Sequence, residues 1–348
     1  MKRTNLDILR RRAEIIQLIR EFFLQRSYLE VDTALLCPFL IPECSLEVFQ
    51  SVYLPRHGSP RNLFLIPSPE LWMKRLIAEG SGSIFQICKS FRNSEPTTRI
   101  HNPEFTMLEW YTVGGDYLDS IGILEQLIVF VFERTSSPPI LRIPNRSIDC
   151  SPPFLRLSMA EAFRRYLKLD LQSLLQGGRA GLAEAARHAG IEPAMDDREE
   201  DLFQKLFLSG VEPNLPDTRI VVLYDYPSVI PTLARRKPAT PWAERWELYI
   251  AGVEIANCYS EERDPDAYQR YYDLQEPEKQ RAAVAHPGDR ELVGVIRRHG
   301  FPKCSGVALG VDRLLQFLLG QESIRTVLPY GAVRAGRGAE DDRYGADT

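Results

Sequence analysis

The stretch of sequence that decides the fold runs from Phe91 to Tyr111 and reads F-R-N-S-E-P-T-T-R-I-H-N-P-E-F-T-M-L-E-W-Y. Its polar part, 92–102, separates two segments of strand-like composition, 83–91 and 103–113. Alternating apolar and polar residues bounded by a polar run are typical of a β-hairpin. We therefore predict two antiparallel strands that are joined by a long loop.

The second of these strands carries chemistry on one face. Because side chains alternate along a strand, Phe105, Met107, Glu109 and Tyr111 lie on the same side. A carboxylate beside aromatic rings fits either a half-exposed sheet face or a binding site. From this strand alone the half-exposed face is the better interpretation.

Outward from this hairpin the sequence alternates between helical and strand patterns. An amphipathic helix is expected from Asn5 to about Arg26, because apolar residues recur there every three or four positions. The further predicted elements are a strand at Tyr28–Thr33, an apolar strand at Arg219–Tyr224, a hairpin at Trp246–Tyr259, a strand at Cys304–Gly310 and a helix at Val311–Leu319.

The hairpin at Trp246–Tyr259 brings two glutamates together. If Ala251 and Gly252 form its two-residue turn, Tyr249 lies opposite Glu254, and Glu247 lies diagonally beside Glu254 on the same face. Two neighbouring carboxylates repel unless a cation lies between them, and hard oxygen ligands favour Mg²⁺. Two solvated glutamates on an edge hairpin remain the alternative.

The segment Gly306-Val-Ala-Leu-Gly310-Val-Asp-Arg313 places small residues at the end of a strand and an arginine at the start of a helix. Small residues let a ligand approach the backbone, and a helix N-terminus with an arginine favours anions. Arg92, at the mouth of the long hairpin loop, would supply a second phosphate contact. A surface salt bridge is the alternative for either arginine.

Five blocks of the chain, in order, resemble the class II aminoacyl-tRNA synthetases of the lysyl type. Motif 1 is similar to 15–38, motif 2 to 91–111 and motif 3 to 306–313, and the lysyl-type pocket is similar to 68–75 and 247–261. The resemblance implies an α+β fold with a mainly antiparallel sheet flanked by helices. It also implies a homodimer formed through the motif 1 helix.

The resemblance assigns roles residue by residue. Arg92 and Arg313 would be catalytic, with ATP and Mg²⁺ as cofactors and Glu247 and Glu254 as metal ligands. The implied ATP-binding residues are Arg92, Asn93, Glu95, His101, Asn102, Phe105, Glu247, Leu248, Gly310 and Arg313. The implied residues for a lysine-type substrate are Ser68, Pro69, Glu70, Glu109, Tyr111, Glu254, Asn257, Glu261 and Ala308.

Three positions depart from the lysyl pattern. The motif 2 loop is one residue longer than in that pattern, which displaces its acidic residue to Glu95. Cys258 stands where a glycine is usual, which predicts added bulk near the ammonium pocket, and Trp72 lies beside the substrate-binding Ser-Pro-Glu. The bulk expected at Cys258 predicts an altered substrate preference.

Within this family, the chain resembles the short lysyl-type paralogues that attach (R)-β-lysine to elongation factor P. The first predicted helix begins almost at Met1, so we expect no anticodon-binding barrel before motif 1. We therefore expect elongation factor P as the partner, lysine or (R)-β-lysine as the amino acid, and no tRNA. The net charge of −4 gives no general footprint for nucleic acid. Alternatives are a minimal lysyl-type synthetase, an activating enzyme with another acceptor, or an inactive regulatory paralogue.

Composition fits a cytoplasmic globular enzyme. The chain has 348 residues, of which 44% are hydrophobic and 26% are charged, and neither a signal peptide nor a membrane span is expected. Its six cysteines are far apart and form no CxxC pair, which favours reduced thiols over a zinc site. We expect a catalytic domain at 1–330, with a largely helical insertion at about 136–218, and a flexible tail at 331–348.

Overall fold

The structure is a computed structural model that describes residues 5–143 and 146–329. The tail predicted at 331–348 lies outside the described residues. Strands and helices are numbered in chain order. The strands are β1 Leu29–Glu30, β2 Leu36–Cys37, β3 Gln50–Tyr53, β4 Arg61–Leu65, β5 Ile84–Phe91, β6 Glu104–Val113, β7 Ile140–Ile143, β8 Arg146–Asp149, β9 Leu155–Ser158, β10 Ile220–Pro227, β11 Trp242–Ile250, β12 Val253–Ser260 and β13 Cys304–Gly310.

The helices surround these strands. They are α1 Leu6–Leu24, α2 Glu70–Ala78, α3 Tyr117–Arg134, α4 Met159–Tyr166, α5 Leu171–Gln176, α6 Gly178–His188, α7 Glu199–Leu206, α8 Pro265–Lys279, α9 Arg290–His299, α10 Val311–Leu318 and α11 Ile324–Val327. A π-helical turn at Phe207–Val211 and a 3₁₀ turn at Glu212–Asn214 follow α7. No helix among the described residues is both long enough and apolar enough to cross a bilayer.

Eight strands form one sheet in the order β1-β5-β6-β13-β12-β11-β10-β9. The edge pairs β1–β5 and β10–β9 are parallel, and the five pairs between them are antiparallel. Two small sheets, β2-β4-β3 and β7-β8, accompany it. The expectation of an α+β fold with a mainly antiparallel sheet and flanking helices is confirmed.

One face of the large sheet packs against α1 and α3. As predicted, α1 is amphipathic and starts after Asn5, whose side chain accepts the backbone N–H of Asp7 at 3.0 Å. Its apolar side buries Phe23, which stacks on Phe85 of β5 with ring centres 4.9 Å apart and also contacts Trp110 of β6. This core fixes the back of the sheet and leaves its other face for the site.

The segment at about 136–218 contains α4–α7, but it also supplies β7, β8 and β9. A capping box formed by Ser158 and Glu161 begins α4. A separate hydrophobic cluster joins these helices to the sheet, with Phe163 of α4 stacked on Phe203 of α7. The strand predicted at Tyr28–Thr33 is shorter than expected, because only Leu29–Glu30 pairs with β5.

Candidate active site

The face of the sheet opposite α1 and α3 lines up residues that are far apart in sequence. Paired residues on neighbouring strands point to the same side, so the strand register defines rows of side chains. One row contains Gln86, Glu109, Ala308, Asn257 and Glu247. The next row contains Ile84, Tyr111, Gly306, Tyr259 and Arg245. The sheet thus brings the predicted residues of β6, β11, β12 and β13 together.

The hairpin β11–β12 has the predicted two-residue turn. Ala251 and Gly252 have φ values of 50° and 76°, as a type I′ turn requires, and Tyr249 lies opposite Glu254. A bulge that was not predicted follows this pair, so that Glu247 faces Asn257. The bulge adds a residue to β12 and shifts the register beyond it.

A cavity of about 260 Å³ opens on this face between the motif 2 loop, β12 and the start of α10. It is lined by many of the residues assigned to ATP or substrate, namely Arg92, Glu95, His101, Asn102, Phe105, Glu254, Asn257, Ala308, Gly310 and Arg313. Residues that were not predicted also line it, namely Ile100, Thr106, Met107, Ile255, Ala256, Asp312 and Ile324. The stretches around residues 92–107, 254–257 and 308–313 therefore share one cavity.

The two arginines of the cavity are held in different ways. Arg313 donates to the backbone oxygens of Ile100 at 3.0 Å and Glu254 at 2.8 Å, which places its guanidinium across the cavity. Arg92 lies 5.3 Å from the centre of the Phe105 ring and 3.6 Å from the Glu95 carboxylate. Burial and the nearby positive charge of Arg92 both lower the pKa of Arg313. Since the two cations repel each other, an anion bound between them would be stabilised.

Asp312, in the first turn of α10, links this helix to β6 and α1 beside the cavity. Its carboxylate accepts the backbone N–H of Thr106 at 2.7 Å and the guanidinium of Arg12 at 2.6 Å. Arg12, on α1, also donates to the Thr106 hydroxyl at 2.9 Å. Thr106 follows Phe105 and Asp312 precedes Arg313, so this buried contact fixes the spacing between the two residues expected to enclose an adenine.

The two glutamates expected to bind a metal have different surroundings. Glu247 accepts hydrogen bonds from Tyr226 at 2.6 Å, Tyr249 at 2.6 Å and Arg245 at 2.5 Å. Glu254 lines the cavity, and burial and the charge of Glu247 raise its pKa to about 7. A cation beside Glu254 would relieve this repulsion, while Glu247 has most of its acceptor sites in use.

In the described part of the chain, no group of three or more His, Cys, Asp or Glu side chains is arranged so that it could hold a metal ion by itself. Mg²⁺ is commonly held by one or two carboxylates together with substrate phosphates, so a set of two glutamates beside an anion cavity fits that ion.

Beside the cavity, where Glu109 of β6 pairs with the cavity residue Ala308 of β13, lies a cluster that we call the carboxylate pocket. It consists of three acidic residues, Glu70, Glu109 and Glu261, together with Tyr111. Tyr111 donates to Glu109 Oε1 at 2.7 Å, while Glu109 Oε2 is buried and has no hydrogen-bond partner. Burial raises the pKa of Glu109 well above its usual range and that of Glu261 to about 7. Buried carboxylates with an open acceptor suit an ammonium group.

Gly306 forms the floor of the carboxylate pocket. A Cβ atom at this position would lie 2.3 Å from Glu261 Oε1 and 2.6 Å from Tyr111 Cε1. Only glycine therefore lets these two side chains approach each other over β13.

Some predicted residues lie off these walls. Asn93 donates to the backbone oxygen of Val48 at 3.3 Å and anchors the motif 2 loop outside the cavity. Leu248 is fully buried in the core on the opposite face of the sheet, so its side chain does not reach the cavity. Ser68 and Pro69 form the turn before α2, which directs Glu70 into the carboxylate pocket.

The expectation that Cys258 adds bulk near the ammonium pocket is wrong. Strand alternation points Asn257 and Tyr259 towards the site and Cys258 into the opposite core, where it is fully buried. Trp72 also turns away from the carboxylate pocket, because its indole N–H donates to Cys37 Sγ at 3.0 Å. Lys74, for which the sequence indicated no separate role, has its ammonium beside Glu70 and Glu261.

Comparison with known proteins places these features in a family. The family model described as class II tRNA synthetases (D, K and N) matches residues 1–334. The chain is similar to proteins named elongation factor P--(R)-beta-lysine ligase from Klebsiella pneumoniae subsp. pneumoniae and Pectobacterium carotovorum subsp. carotovorum. Each is 36% identical over 332 residues, which cover 93% of this chain and 95% of the relative. The chain therefore belongs to the class II tRNA synthetases of the D, K and N group.

Proposed function

We propose that this protein uses ATP to activate (R)-β-lysine or lysine as an aminoacyl-adenylate and transfers the aminoacyl group to a lysine of elongation factor P. The observation that carries the proposal is the position of a buried carboxylate pocket directly beside a cavity with two arginines. The names of the two relatives supply the acceptor and the amino acid.

In the first half-reaction a carboxylate oxygen of the amino acid attacks the α-phosphorus of ATP. The new oxygen–phosphorus bond replaces the bond to pyrophosphate, which leaves with its electron pair. Arg92 and Arg313 would stabilise the negative charge that builds on the phosphoryl oxygens, and Phe105 with Arg313 would hold the adenine. Glu109 and Glu261 would bind the terminal ammonium, so the amino acid is oriented before attack.

In the second half-reaction the neutral amine of the acceptor lysine attacks the carbonyl carbon of the adenylate. An amide bond forms, AMP leaves with the electron pair of the broken bond, and the amine loses one proton. Because an adenylate reacts with any well-placed amine, the acceptor is chosen by docking rather than by the acyl chemistry.

Magnesium is the metal that we propose for Glu254 and Glu247. When bound with the triphosphate it would supply positive charge that neutralises the phosphate oxygens. Arg245 and the two tyrosines fix the Glu247 carboxylate in one orientation, and Glu254 contributes the carboxylate that lines the cavity.

Three further proposals concern the molecule as a whole. We propose a cytoplasmic homodimer in which α1, with the exposed side chains of Leu6 and Leu24 at its ends, lies near the partner copy. We also propose that tRNA is not the acceptor. Light scattering tests the dimer, and a monomer at micromolar concentration would contradict it.

The function is tested by supplying the enzyme with ATP, Mg²⁺ and either amino acid, together with purified elongation factor P or total tRNA. Amino-acid-dependent pyrophosphate exchange reports the first step. Intact-protein mass spectrometry reports the second step, and we expect elongation factor P to gain one lysyl group. A factor variant without its acceptor lysine is the control. Efficient tRNA charging with no mass gain on the factor would contradict the proposal, and no exchange with either amino acid would indicate an inactive paralogue.

A further inference from the structure

Lys74 is a buried lysine inside the carboxylate pocket. Its Nζ lies 2.5 Å from Glu70 Oε1, one turn earlier on α2, and 2.8 Å from Glu261 Oε2, just after β12. The Lys74 side chain is 0% exposed, and Nζ also lies 5.6 Å from the centre of the Tyr268 ring. The protein's own ammonium group therefore holds two of the carboxylates that the resemblance assigns to the substrate.

The charge of the carboxylate pocket depends on the titratable groups in it and around it. These groups are Glu70 on α2, Glu109 and Tyr111 on β6, Tyr259 on β12, Glu261 after β12, Tyr268, Tyr271 and Tyr272 on α8, and Cys304 on β13. Burial raises the pKa of these tyrosines and of Cys304, which keeps them neutral. The neighbouring cation Arg75 is already bound to Asp289 at 2.5 Å. When all three carboxylates are ionised they face one fixed ammonium, and two negative charges have no cation.

We propose that Lys74 is a positioning residue that sets the charge of the carboxylate pocket and thereby sets the pH range in which the pocket binds the terminal ammonium of the substrate. The inference rests on the proposed function and deepens it. A buried charge is costly unless it is paired, so a substrate ammonium would stabilise the ionised form of a carboxylate that Lys74 leaves without a cation. Lys74 also orients Glu70 and Glu261, which leaves the open Oε2 of Glu109 for the terminal ammonium of the substrate.

Removal of the Lys74 charge should be visible in the pH dependence of substrate binding. Lys74 lowers the pKa of Glu261, which burial has raised to about 7. In Lys74→Met that opposing charge is gone, so the pKa of the neighbouring carboxylates rises and they ionise only at higher pH. The substrate ammonium binds the ionised carboxylates, so KM falls only at a pH where they have lost their protons. Loss of the Lys74 ammonium should move this fall in KM to higher pH, by at least about one pH unit.

The experiment compares Lys74→Met with Lys74→Arg, which keeps the charge. The matched control is Lys303→Met, because the Lys303 side chain is 45% exposed and contacts only Asp116, at 3.4 Å, among the acidic residues described. Amino-acid-dependent pyrophosphate exchange gives KM and kcat for lysine and β-lysine from about pH 6 to about pH 9. We expect Lys74→Met to raise KM at neutral pH by at least about tenfold, more than it lowers kcat, and to shift the profile upward. Lys74→Arg should keep the profile of the native enzyme, and Lys303→Met should match that enzyme throughout.

A folded Lys74→Met enzyme with an unshifted profile would overturn the proposal, as would equal losses in Lys74→Met and Lys74→Arg without a shift. If Lys74→Met does not fold, Glu70→Gln is compared with the double variant Glu70→Gln/Lys74→Met, which has the same residual charge as the native pocket. The double variant should have a profile about one pH unit above that of Glu70→Gln, and coincident profiles would also overturn the proposal. A native enzyme that exchanges with neither amino acid would instead refute the proposed function.

Discussion

Gly306→Ala tests the carboxylate pocket with a single added methyl group. The new Cβ would lie 2.3 Å from Glu261 Oε1 and 2.6 Å from Tyr111 Cε1. Neither side chain can easily withdraw, because Glu261 is paired with Lys74 at 2.8 Å and Tyr111 donates to Glu109 at 2.7 Å. β13 also lies between β6 and β12 in the middle of the sheet, so its backbone cannot move outward.

The expected magnitude follows from this crowding. Overpacking of a buried site costs about 1–3 kcal/mol of unfolding free energy, and each kcal/mol lowers the melting temperature by about 2–4 °C in a domain of roughly 150–250 residues. Displacement of Glu261 would also weaken its proposed contact with the terminal ammonium of the substrate. Since each factor of ten corresponds to about 1.4 kcal/mol, we expect kcat/KM for the amino acid to fall by at least about tenfold.

The assay is pyrophosphate exchange with β-lysine and lysine, together with differential scanning calorimetry. Gly122→Ala is the matched control, because Gly122 lies inside α3 and a Cβ there meets no heavy atom within 4 Å. That variant should be unchanged in activity and more stable by about 0.5–1 kcal/mol. A Gly306→Ala enzyme with native KM and native melting temperature would refute the description of this pocket.

Other predictions concern the metal, the isomer of the substrate and the support of the cavity. Glu247→Gln and Glu254→Gln should each lower pyrophosphate exchange by orders of magnitude without unfolding the protein, and near-normal exchange at low Mg²⁺ would contradict the metal assignment. Ala308→Gly should raise the use of α-lysine relative to β-lysine in exchange assays, and an unchanged ratio would exclude Ala308 as the residue that limits the pocket. Arg12→Met leaves Asp312 buried without its cation, so it should cost about 3–5 kcal/mol in denaturant unfolding and raise KM for ATP, whereas Arg12→Lys should recover part of both losses. If Arg12→Met is less stable but keeps the native KM for ATP, the contact between Arg12 and Asp312 contributes to folding and not to ATP binding.

The sequence predicted the hairpin β5–β6 and the same-face set on β6 because strand alternation depends on local order alone. Glu109 and Tyr111 do share a face, and they hydrogen bond to each other. Alternation also predicted Tyr249 opposite Glu254, once the turn had been located at Ala251 and Gly252. These features require only the period of two and the residue preferences of a two-residue turn.

The bulge in β12 could not be predicted in the same way. It inserts one residue between the pairs Tyr249–Glu254 and Leu248–Ala256, and no glycine or proline in that segment signals it. Its consequence is large, because it brings Asn257 rather than Ala256 opposite Glu247. Register beyond a bulge depends on packing against the next strand, which is long-range information.

Lys74 shows a different limit of sequence reasoning. Its spacing from Glu70 predicts an ordinary contact along the surface of a helix, which is worth only a few tenths of a kcal/mol. The structure instead buries α2 against α9 and β6, so that Lys74 also meets Glu261, far along the chain. A local pair became part of a buried charge cluster only through tertiary packing.

The arrangement of the two pockets also constrains how lysine isomers can be distinguished. Lysine and β-lysine have the same chain length from the carboxyl group to the terminal amine, and differ only in the position of the inner amino group. Glu109 at one end and Arg92 at the other end would therefore contact both isomers alike. Ala308 lies between Glu109 and Asn257 in the same row of side chains, so it faces the middle of a substrate that spans the two pockets. Glu109→Gln should consequently weaken the binding of both isomers by the same factor. Selectivity between the isomers must then come from the residues that face the middle of the substrate.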